Sequence, residues 1–365
     1  MTRPWLRWLP AAAVPAMIAA GVLTGSLPAS AGDPLPDKSP EQVLALIAQH
    51  RGQALSGTLE QSSNLGLPEL PAGPGAGPGA GAADAAWLEL LTGPHTARVY
   101  LDGPDNARIQ VMDRLAERNA VRHGNELWFY NSKDNSAAHA QLPAGAAARH
   151  EAGKGFMSTP EELAAKLLAK LDASTGVTVR ADDQVAGRPA YQLLLTPKST
   201  ATLVASIAIA VDGQSGLPLG VEVKARGQSE PAFRLAFTSL KLEAPDASIF
   251  QFAPPPGATV KEIPVPEHKN DGATPPSGTG SKEARGHSVT GTGWESVIEL
   301  QAPAGQALPG EPASGAAGLL QQATVPVSGG RLLSTSLVNV LILDDGRIFV
   351  GSVPLERLQA ASAQH

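Results

Sequence analysis

The feature that most constrains this chain of 365 residues is a run of apolar side chains that alternate with a period of two. Apolar residues stand at every second position between residues 203 and 211, and again between 219 and 223. This spacing is typical of strands that bury one face. The intervening Asp212-Gly213-Gln214-Ser215-Gly216-Leu217-Pro218 is rich in turn-forming residues. Together the two runs predict an antiparallel hairpin.

The alternation continues beyond this hairpin with one irregularity. Phe233, Leu235 and Phe237 keep the period, and the pattern then slips by one residue to Leu240 and Leu242. A β-bulge near Thr238 accounts for the slip, because it inserts one extra residue into a strand. Further strands are predicted at 55–61, 97–101, 107–112, 127–131, 177–179 and 191–196, with a last hairpin at 338–343 and 347–353.

Helices are few and well signalled. Ser39-Pro40-Glu41-Gln42 and Thr159-Pro160-Glu161-Glu162 each place a capping residue before a proline at the first helical position, and an apolar stripe follows both. A short helix is predicted at 355–361. Helix and strand do not alternate regularly along the chain, which favours an α+β fold with an antiparallel sheet and segregated helices.

The first residues predict export. Arg3 and Arg7 precede an apolar stretch, and Ala29-Ser30-Ala31 matches the small-x-small pattern that a signal peptidase cleaves. We therefore expect a secretory signal peptide at 1–31 and an extracytoplasmic protein. If the signal is retained, the chain is tethered to the membrane by this segment. Cysteine is absent, so the mature protein has no disulfide and no lipid-modified N-terminal cysteine.

Composition divides the mature chain. We expect a main domain at 32–256, with a disordered proline- and glycine-rich insertion at 68–83, because such composition forms no regular element. A disordered linker is predicted at 257–290. Residues 291–365 are expected to form a C-terminal hairpin and helix docked on the main sheet. The net charge of −6 becomes two units more negative when Arg3 and Arg7 are removed, which disfavours nucleic acid as a partner.

Catalytic and metal-binding motifs are not recognisable. The eight histidines include no pair at metal-ligand spacing, and Gly213-Gln214-Ser215-Gly216 misses the spacing of a nucleophile elbow. The acidic pairs Asp182-Asp183 and Asp344-Asp345 fall at predicted turns, where aspartate is common. The sequence therefore predicts no enzyme, no cofactor and no metal site.

Apolar surface is the remaining candidate for function. Burial of an acyl chain contributes about 0.8 kcal/mol per CH₂, so an apolar sheet face can hold one without any charged group. The pattern alone does not separate a core from such a groove. The candidate ligand-binding residues are Trp128, Tyr130, Leu193, Leu195, Ile207, Ile209, Val221, Phe233, Leu235 and Phe237.

Three short motifs, in order, resemble a known superfamily. They are a G-x-x-x-Y strand at Gly187 to Tyr191, a D-x-x-x-G-L-P turn at Asp212 to Pro218, and an F-x-F-x-P-P-x-G segment at Phe250 to Gly257. They are similar to those of the bacterial lipoprotein carriers LolA and LolB and of the sigma-factor regulator RseB/MucB. The resemblance implies an incomplete, curved antiparallel β-barrel, or half-barrel, that is covered by a few helices. Its apolar concave face is expected to hold lipid.

Three functions are open at this point. The first is an envelope binding protein that shelters an acyl chain, a lipid or a lipoprotein, as a carrier does. The second is an RseB-like sensor whose partner is a membrane anti-sigma factor or another envelope protein. The third, an unrecognised hydrolase, rests only on the predicted export.

Overall fold

The computed structural model describes residues 35–67, 93–112, 116–142, 158–264, 287–301 and 323–364, without the side chains of residues 181, 182, 287 and 301. The predicted signal peptide at 1–31, the insertion at 68–83 and most of the predicted linker lie outside these residues. Three α-helices occur in the described part: α1 (Pro40–Gln49), α2 (Pro160–Leu168) and α3 (Leu355–Ser362).

Eighteen strands occur in the same part of the chain. The first twelve are β1 (Leu55–Ser63), β2 (His95–Asp102), β3 (Asn106–Met112), β4 (Glu117–His123), β5 (Glu126–Asn131), β6 (Ser136–Gln141), β7 (Thr175–Val185), β8 (Arg188–Pro197), β9 (Val204–Asp212), β10 (Pro218–Ala225), β11 (Phe233–Lys241) and β12 (Thr259–Glu262). The other six are β13 (His287–Thr290), β14 (Val297–Gln301), β15 (Val325–Val327), β16 (Gly330–Ser334), β17 (Asn339–Leu343) and β18 (Arg347–Gly351).

The main sheet contains the first twelve strands in the order β12-β6-β5-β4-β3-β2-β1-β11-β10-β9-β8-β7. All neighbouring strands are antiparallel except β12, which pairs parallel with β6. The sheet is curved and ends in two separate edge strands, so it is not closed into a barrel. The predicted antiparallel sheet with few helices is confirmed at this level.

Helices α1 and α2 lie on one face of this sheet, where each buries its apolar stripe. A capping residue stabilises the N-terminus of each helix. In α1, the Ser39 hydroxyl accepts from the Gln42 amide and the Gln42 side chain accepts from the Ser39 amide, which satisfies two N-terminal donors. Val43 from α1 and Ala164 from α2 are fully buried against Leu193, Ile209 and Val221. We call the face that they cover the helix face.

The predicted hairpin and bulge are both present. Strands β9 and β10 pair antiparallel around the turn at 212–218. In β11, Phe237 pairs with Leu59 and Ser239 pairs with Thr58, so Thr238 is the extra residue. The extra residue shifts the alternation of side chains by one position, so Leu240 points to the same face of the sheet as Phe237.

The turn at 212–218 is fixed by an ion pair beneath it. The Asp212 carboxylate is 1% exposed and accepts from Arg188 Nε at 2.7 Å and from Arg188 Nη2 at 3.1 Å. It also accepts from the Ser215 amide and the Ser215 hydroxyl, at 2.8 and 2.6 Å. These bonds connect the first two sequence motifs, since Arg188 follows Gly187 and Asp212 begins the turn.

A second sheet follows, in the order β13-β14-β18-β17-β16-β15. Its core contains Leu341, Phe349 and Leu358, with α3 packed over β17 and β18. The predicted hairpin and helix are present here, and four further short strands extend them. The sheet touches the main sheet through its ends: Trp294 Nε1 donates to Thr175 Oγ1 at 2.8 Å, and the Leu203 amide donates to the Ser352 carbonyl at 2.8 Å.

The predicted domain boundaries stay a prediction. Within the span expected to be a linker, residues 259–262 form β12 and residues 287–290 form β13.

Candidate functional site

The strand registers determine which side chains share a face of the main sheet, because directly paired residues in antiparallel strands point to the same side. Leu193 pairs with Ile209, Ile209 with Val221, and Val221 with Leu235. From Leu235 the register passes through Gln61 to the first half of the sheet. The helix face can therefore be followed across both halves.

In the first half, the helix face carries an uninterrupted apolar row. Val99 pairs with Ile109, Ile109 with Ala120, Ala120 with Phe129, and Phe129 with Ala138. We call these five residues the apolar row. Val99 is fully buried and the other four are partly exposed. Helices α1 and α2 pack on β7, β8, β10 and β11, in the other half of the sheet.

Polar side chains border the apolar row on both sides. Arg118 and Asn131 lie in the adjacent row towards one end of the strands, and Arg122 lies in the row on the other side. Arg122 is nearly buried; its Nη2 donates to Asp105 Oδ1 at 2.9 Å and its Nε to the Gly124 carbonyl at 3.1 Å. Its charge is thus balanced, and the row between these borders is wholly apolar.

At the edge of the sheet the apolar row ends on a charged residue. Ala138 pairs with Lys261 of β12, and this register places the Lys261 side chain on the helix face. Lys261 is exposed. A cation therefore stands at the open end of the row.

The ten candidate ligand residues do not all share one face. Seven lie buried in the core of the helix face: Leu193, Leu195, Ile207, Ile209, Val221, Leu235 and Phe237. Phe233 packs at the margin of this core. Trp128 and Tyr130 lie on the opposite face, because they flank Phe129 in β5. Whether any of the ten holds a ligand stays a prediction.

On the opposite face, Trp128 and Tyr130 belong to an aromatic cluster. Phe252, from the third sequence motif, lies with its ring centroid 5.6 Å from that of Trp128 and 5.9 Å from that of Tyr130. The neighbouring Phe250 is buried in a 3₁₀ turn that packs on β3 and β4. The third motif therefore covers the face of β3–β5 that lies away from the helices.

Sequence reasoning missed the apolar row itself. Ile109 and Phe129 lie in predicted strands, but Ala120 and Ala138 lie in β4 and β6, which were not predicted. The available signal for β4 was that Arg118 and Arg122 each stand two positions from Ala120, the spacing of side chains on one face of a strand. Alternating polar and small residues give a much weaker strand signal than Val, Ile or Phe.

The described residues contain few groups that are placed for metal binding or catalysis. No set of three or more His, Asp or Glu side chains there is placed to hold a metal ion. The Ser215 hydroxyl donates to Asp212, and Asp345 accepts from Arg347, so both take part in turns. No helix in the described ranges is long and apolar enough to cross a membrane.

The fold and the helix face together define the structural class of the described residues. It is an open, curved, mainly antiparallel sheet, with helices on one half of the helix face and the partly exposed apolar row on the other half. No model of a protein family matches the chain. No curated protein matches it either.

Solved structures do show a likeness of fold. MucB in the MucA/MucB complex of Pseudomonas aeruginosa is 17% identical, with a TM-score of 0.42 over 88% of this chain and 96% of that one. A second MucB structure has a TM-score of 0.38 at 16% identity over 88% and 94% of the two chains. A LolA superfamily protein from Nitrosomonas europaea has a TM-score of 0.23 at 10% identity over 59% and 99%.

These are the two groups that the three sequence motifs resemble. With TM-scores below 0.5, the likeness transfers no function to this chain.

Proposed function

We propose that this chain is an extracytoplasmic binding protein that shelters an acyl chain, of a lipid or of a lipidated protein, on the apolar row of a LolA-like half-barrel. The observation that carries this proposal is the row itself. Five apolar side chains on neighbouring strands span four strand spacings, or about 19 Å. That length suits an extended acyl chain lying across the strands.

The small side chains in the row favour a ligand over a finished core. Ala120 and Ala138 have short side chains and are partly exposed, while the side chains of Ile109 and Phe129 on either side of Ala120 are longer. A methylene chain seated there would lose contact with water along its length, at about 0.8 kcal/mol per CH₂. No charged group is needed for this binding.

Replacement of Ile109 tests the proposal. Ile109→Asn removes apolar contact from the row, and we expect the affinity for a fluorescent fatty acid to fall about fivefold, equivalent to about 1 kcal/mol for a partly buried aliphatic side chain. The control is Met112→Asn: Met112 lies in the same strand on the opposite face and is 37% exposed. Fluorescence titration measures both. Failure of the wild-type protein to take up lipid, or an equal loss in both variants, contradicts the proposal.

Lys261 gives the ligand a direction. An acyl chain in the apolar row would place its head group near this cation, which favours an anionic head such as a carboxylate or a phosphate. Lys261→Gln should weaken binding of a fatty acid more than binding of its neutral methyl ester. Equal effects on the two ligands would contradict the role of Lys261 in head-group binding, but not the proposal that the apolar row binds an acyl chain.

A second candidate function rests on the second sheet. The face opposite α3 is mainly aliphatic, with Arg331 beside Ile342 towards the β15 edge, and Val289, Ile298 and Leu300 on it are 57%, 40% and 40% exposed. Its members, which we call the aliphatic face, are Val289, Ile298, Leu300, Leu333, Val340, Ile342, Ile348 and Val350. An exposed patch of this kind often marks a protein interface.

On this second reading the chain is an RseB-like sensor that binds the exposed part of a membrane anti-sigma factor or another envelope protein. Pull-down from membranes tests it. A partner captured by the wild-type protein should be lost with Ile298→Lys and kept with Val325→Lys. Val325 is also exposed, at 55%, but its pairing with Leu332 places it on the face that carries α3. Capture that is indifferent to Ile298→Lys would contradict it.

A further inference from the structure

The edge strand β12 is weakly held by its backbone. It contains four residues, all exposed, and pairs only with β6. Beyond the ladder, the Thr259 amide donates to the Asn135 carbonyl at 3.0 Å and the Ile263 amide to the His139 carbonyl at 2.7 Å. The residues before it, 251–258, reach this edge across the face opposite the helices. A strand this short needs side-chain contacts to stay in place.

One side chain of β6 supplies such a contact. The His139 ring lies between two carboxylates: Nδ1 is 2.9 Å from Glu262 Oε2 of β12, and Nε2 bonds to Glu126 Oε2 of β5. The ring also stacks on Trp128, with centroids 4.2 Å apart and planes 19° apart. Its side chain is only 16% exposed. His139 therefore connects β12 to the body of the sheet.

The geometry requires a particular protonation state. An ionised carboxylate only accepts hydrogen bonds, so both bonds form together only when both ring nitrogens carry a proton. Neutral His139 can donate to one glutamate and leaves a lone pair facing the other. Burial alone would lower the pKa of His139, but the hydrogen bonds and charges of Glu262 and Glu126 outweigh it and raise the pKa above its ordinary value of 6.5.

Other charged groups near His139 are few. Arg108 lies on the same face, beyond Trp128 and Val121, and its Nη1 donates to the Ile249 carbonyl at 2.9 Å. Residues 251–258, which pack on Trp128 through Phe252, include no charged residue. Lys261 points to the helix face. Glu126 and Glu262 are thus the charges that face His139 from the elements packed against it within the described residues.

We propose that β12 is a pH-sensitive clasp, which is held on the sheet edge while His139 is protonated and is released when His139 loses its proton. The stabilising contribution is fully present below 6.5 and is lost as the pH rises through the raised pKa of His139. Release exposes the unpaired backbone groups of β6 and removes Lys261 from the end of the apolar row. A change of pH is thereby coupled to the edge of the sheet.

Hydrogen exchange of the full chain tests the clasp. At about pH 5.5 and about pH 8.5, on either side of the titration of an imidazole, exchange is measured and corrected for the intrinsic effect of pH. We expect the amides of residues 259–263 to exchange several-fold faster at the higher pH, while those of β9 in the core do not change. Each unit of difference in the His139 pKa between held and released states corresponds to about a tenfold change in the opening equilibrium.

Two variants separate the clasp from general loosening. Glu262→Gln keeps a hydrogen-bond acceptor without its charge, so exchange at 259–263 should already be fast at the lower pH and should respond much less to pH. His123→Gln is the control, because His123 is exposed and bonds only to the Asn106 amide oxygen in the described structure. Equal corrected exchange at both pH values in the wild-type protein, or a full pH response in Glu262→Gln, would overturn the proposal.

Discussion

At the scale of single residues, the ion pair between Arg188 and Asp212 combines a two-pronged geometry with a buried carboxylate. Both of its hydrogen bonds run in parallel from guanidinium to carboxylate, and Asp212 is almost completely buried. Burial alone would raise the pKa of Asp212, but the hydrogen bonds from Arg188 and Ser215 and the charge of Arg188 outweigh it and lower the pKa below 3.8.

Removal of Arg188 should therefore be costly. Arg188→Leu leaves the Asp212 charge buried without its partner, and we expect the free energy of unfolding to fall by about 3 kcal/mol. Denaturant titration at neutral pH measures it. The control is Arg234→Leu, whose exposed pair with Glu222 at 3.1 Å should cost less than about 1 kcal/mol. A similar loss in both variants would show that the burial of Asp212 does not determine how much stability the ion pair contributes.

The same pair sets a direction of pH dependence. Because the pKa of Asp212 is lower in the folded protein than in the unfolded chain, its contribution to stability is present above about 3.8. It is lost as the pH falls through the lowered folded value. Unfolding measured from neutral to acidic pH should consequently show a steeper loss of stability in the wild-type protein than in Arg188→Leu.

At the same scale, prediction from sequence succeeded for the motif residues and failed for the apolar row. Asp212, Gly216 and Pro218 are turn residues by their local chemistry, so the turn was predictable. The direction of each aromatic in Trp128-Phe129-Tyr130 was not, because alternation assigns neighbours to opposite faces without saying which face carries the helices. Only the strand register places Phe129 on the helix face.

At the scale of elements, the turn at 212–218 packs against the end of α1. Gly216 has a φ of +75°, and a Cβ built on it would lie 2.3 Å from the Leu46 carbonyl oxygen. The His50 ring Nδ1 is 3.1 Å from the Ser215 carbonyl oxygen of the same turn. The glycine of the D-x-x-x-G-L-P motif is thus required both by its backbone conformation and by its contact with the helix.

Two glycines separate these requirements. Gly227 also has a positive φ, of +79°, but a Cβ there would meet nothing within 4 Å. We expect Gly227→Ala to cost about 1 kcal/mol from backbone strain alone, and Gly216→Ala to cost about 2 kcal/mol more from the clash with Leu46. Thermal and denaturant unfolding of both variants measure the difference. Equal costs would show that α1 moves away without penalty.

The elements themselves were predictable in proportion to their apolar content. β9, β10 and β11 carry Ile, Val, Leu or Phe at alternate positions and were predicted with their bulge. β4 carries Arg, Asn and His, and β6 carries three alanines, so neither gave a clear period. β13 to β16 contain three to five residues each, too few for a periodic pattern.

At the scale of the whole molecule, the position of the mature N-terminus follows from the predicted signal. If residues 1–31 are removed after export, intact mass spectrometry of the protein from its native envelope should give a chain that begins at Gly32. A chain that retains residues 1–31 would instead be tethered by that segment. Detection of the protein in the cytoplasm, with Met1 still present, would contradict both.

The layout of the two sheets could not be read from the sequence. A hairpin and a helix were expected at 291–365, whereas the structure has a six-stranded sheet with a core of its own between the sheet and α3. Its contacts with the main sheet are made by loops, such as the one that contains Trp294. Loops have no periodic sequence pattern, so such contacts could not be predicted. Non-local pairing of this kind depends on the whole fold.

The parallel pairing of β12 with β6 also has a consequence for the order of folding. His139 and Glu262 are 123 positions apart in the chain, so this edge closes a very long loop for four residues of ladder. The hairpins from β2 to β6 are local and can form first, which leaves β6 as an open edge in any folding intermediate. An open edge is a template for pairing with other chains. Aggregation during refolding should therefore begin at β6, and a chain that ends before residue 259 should aggregate more readily than one that includes β12.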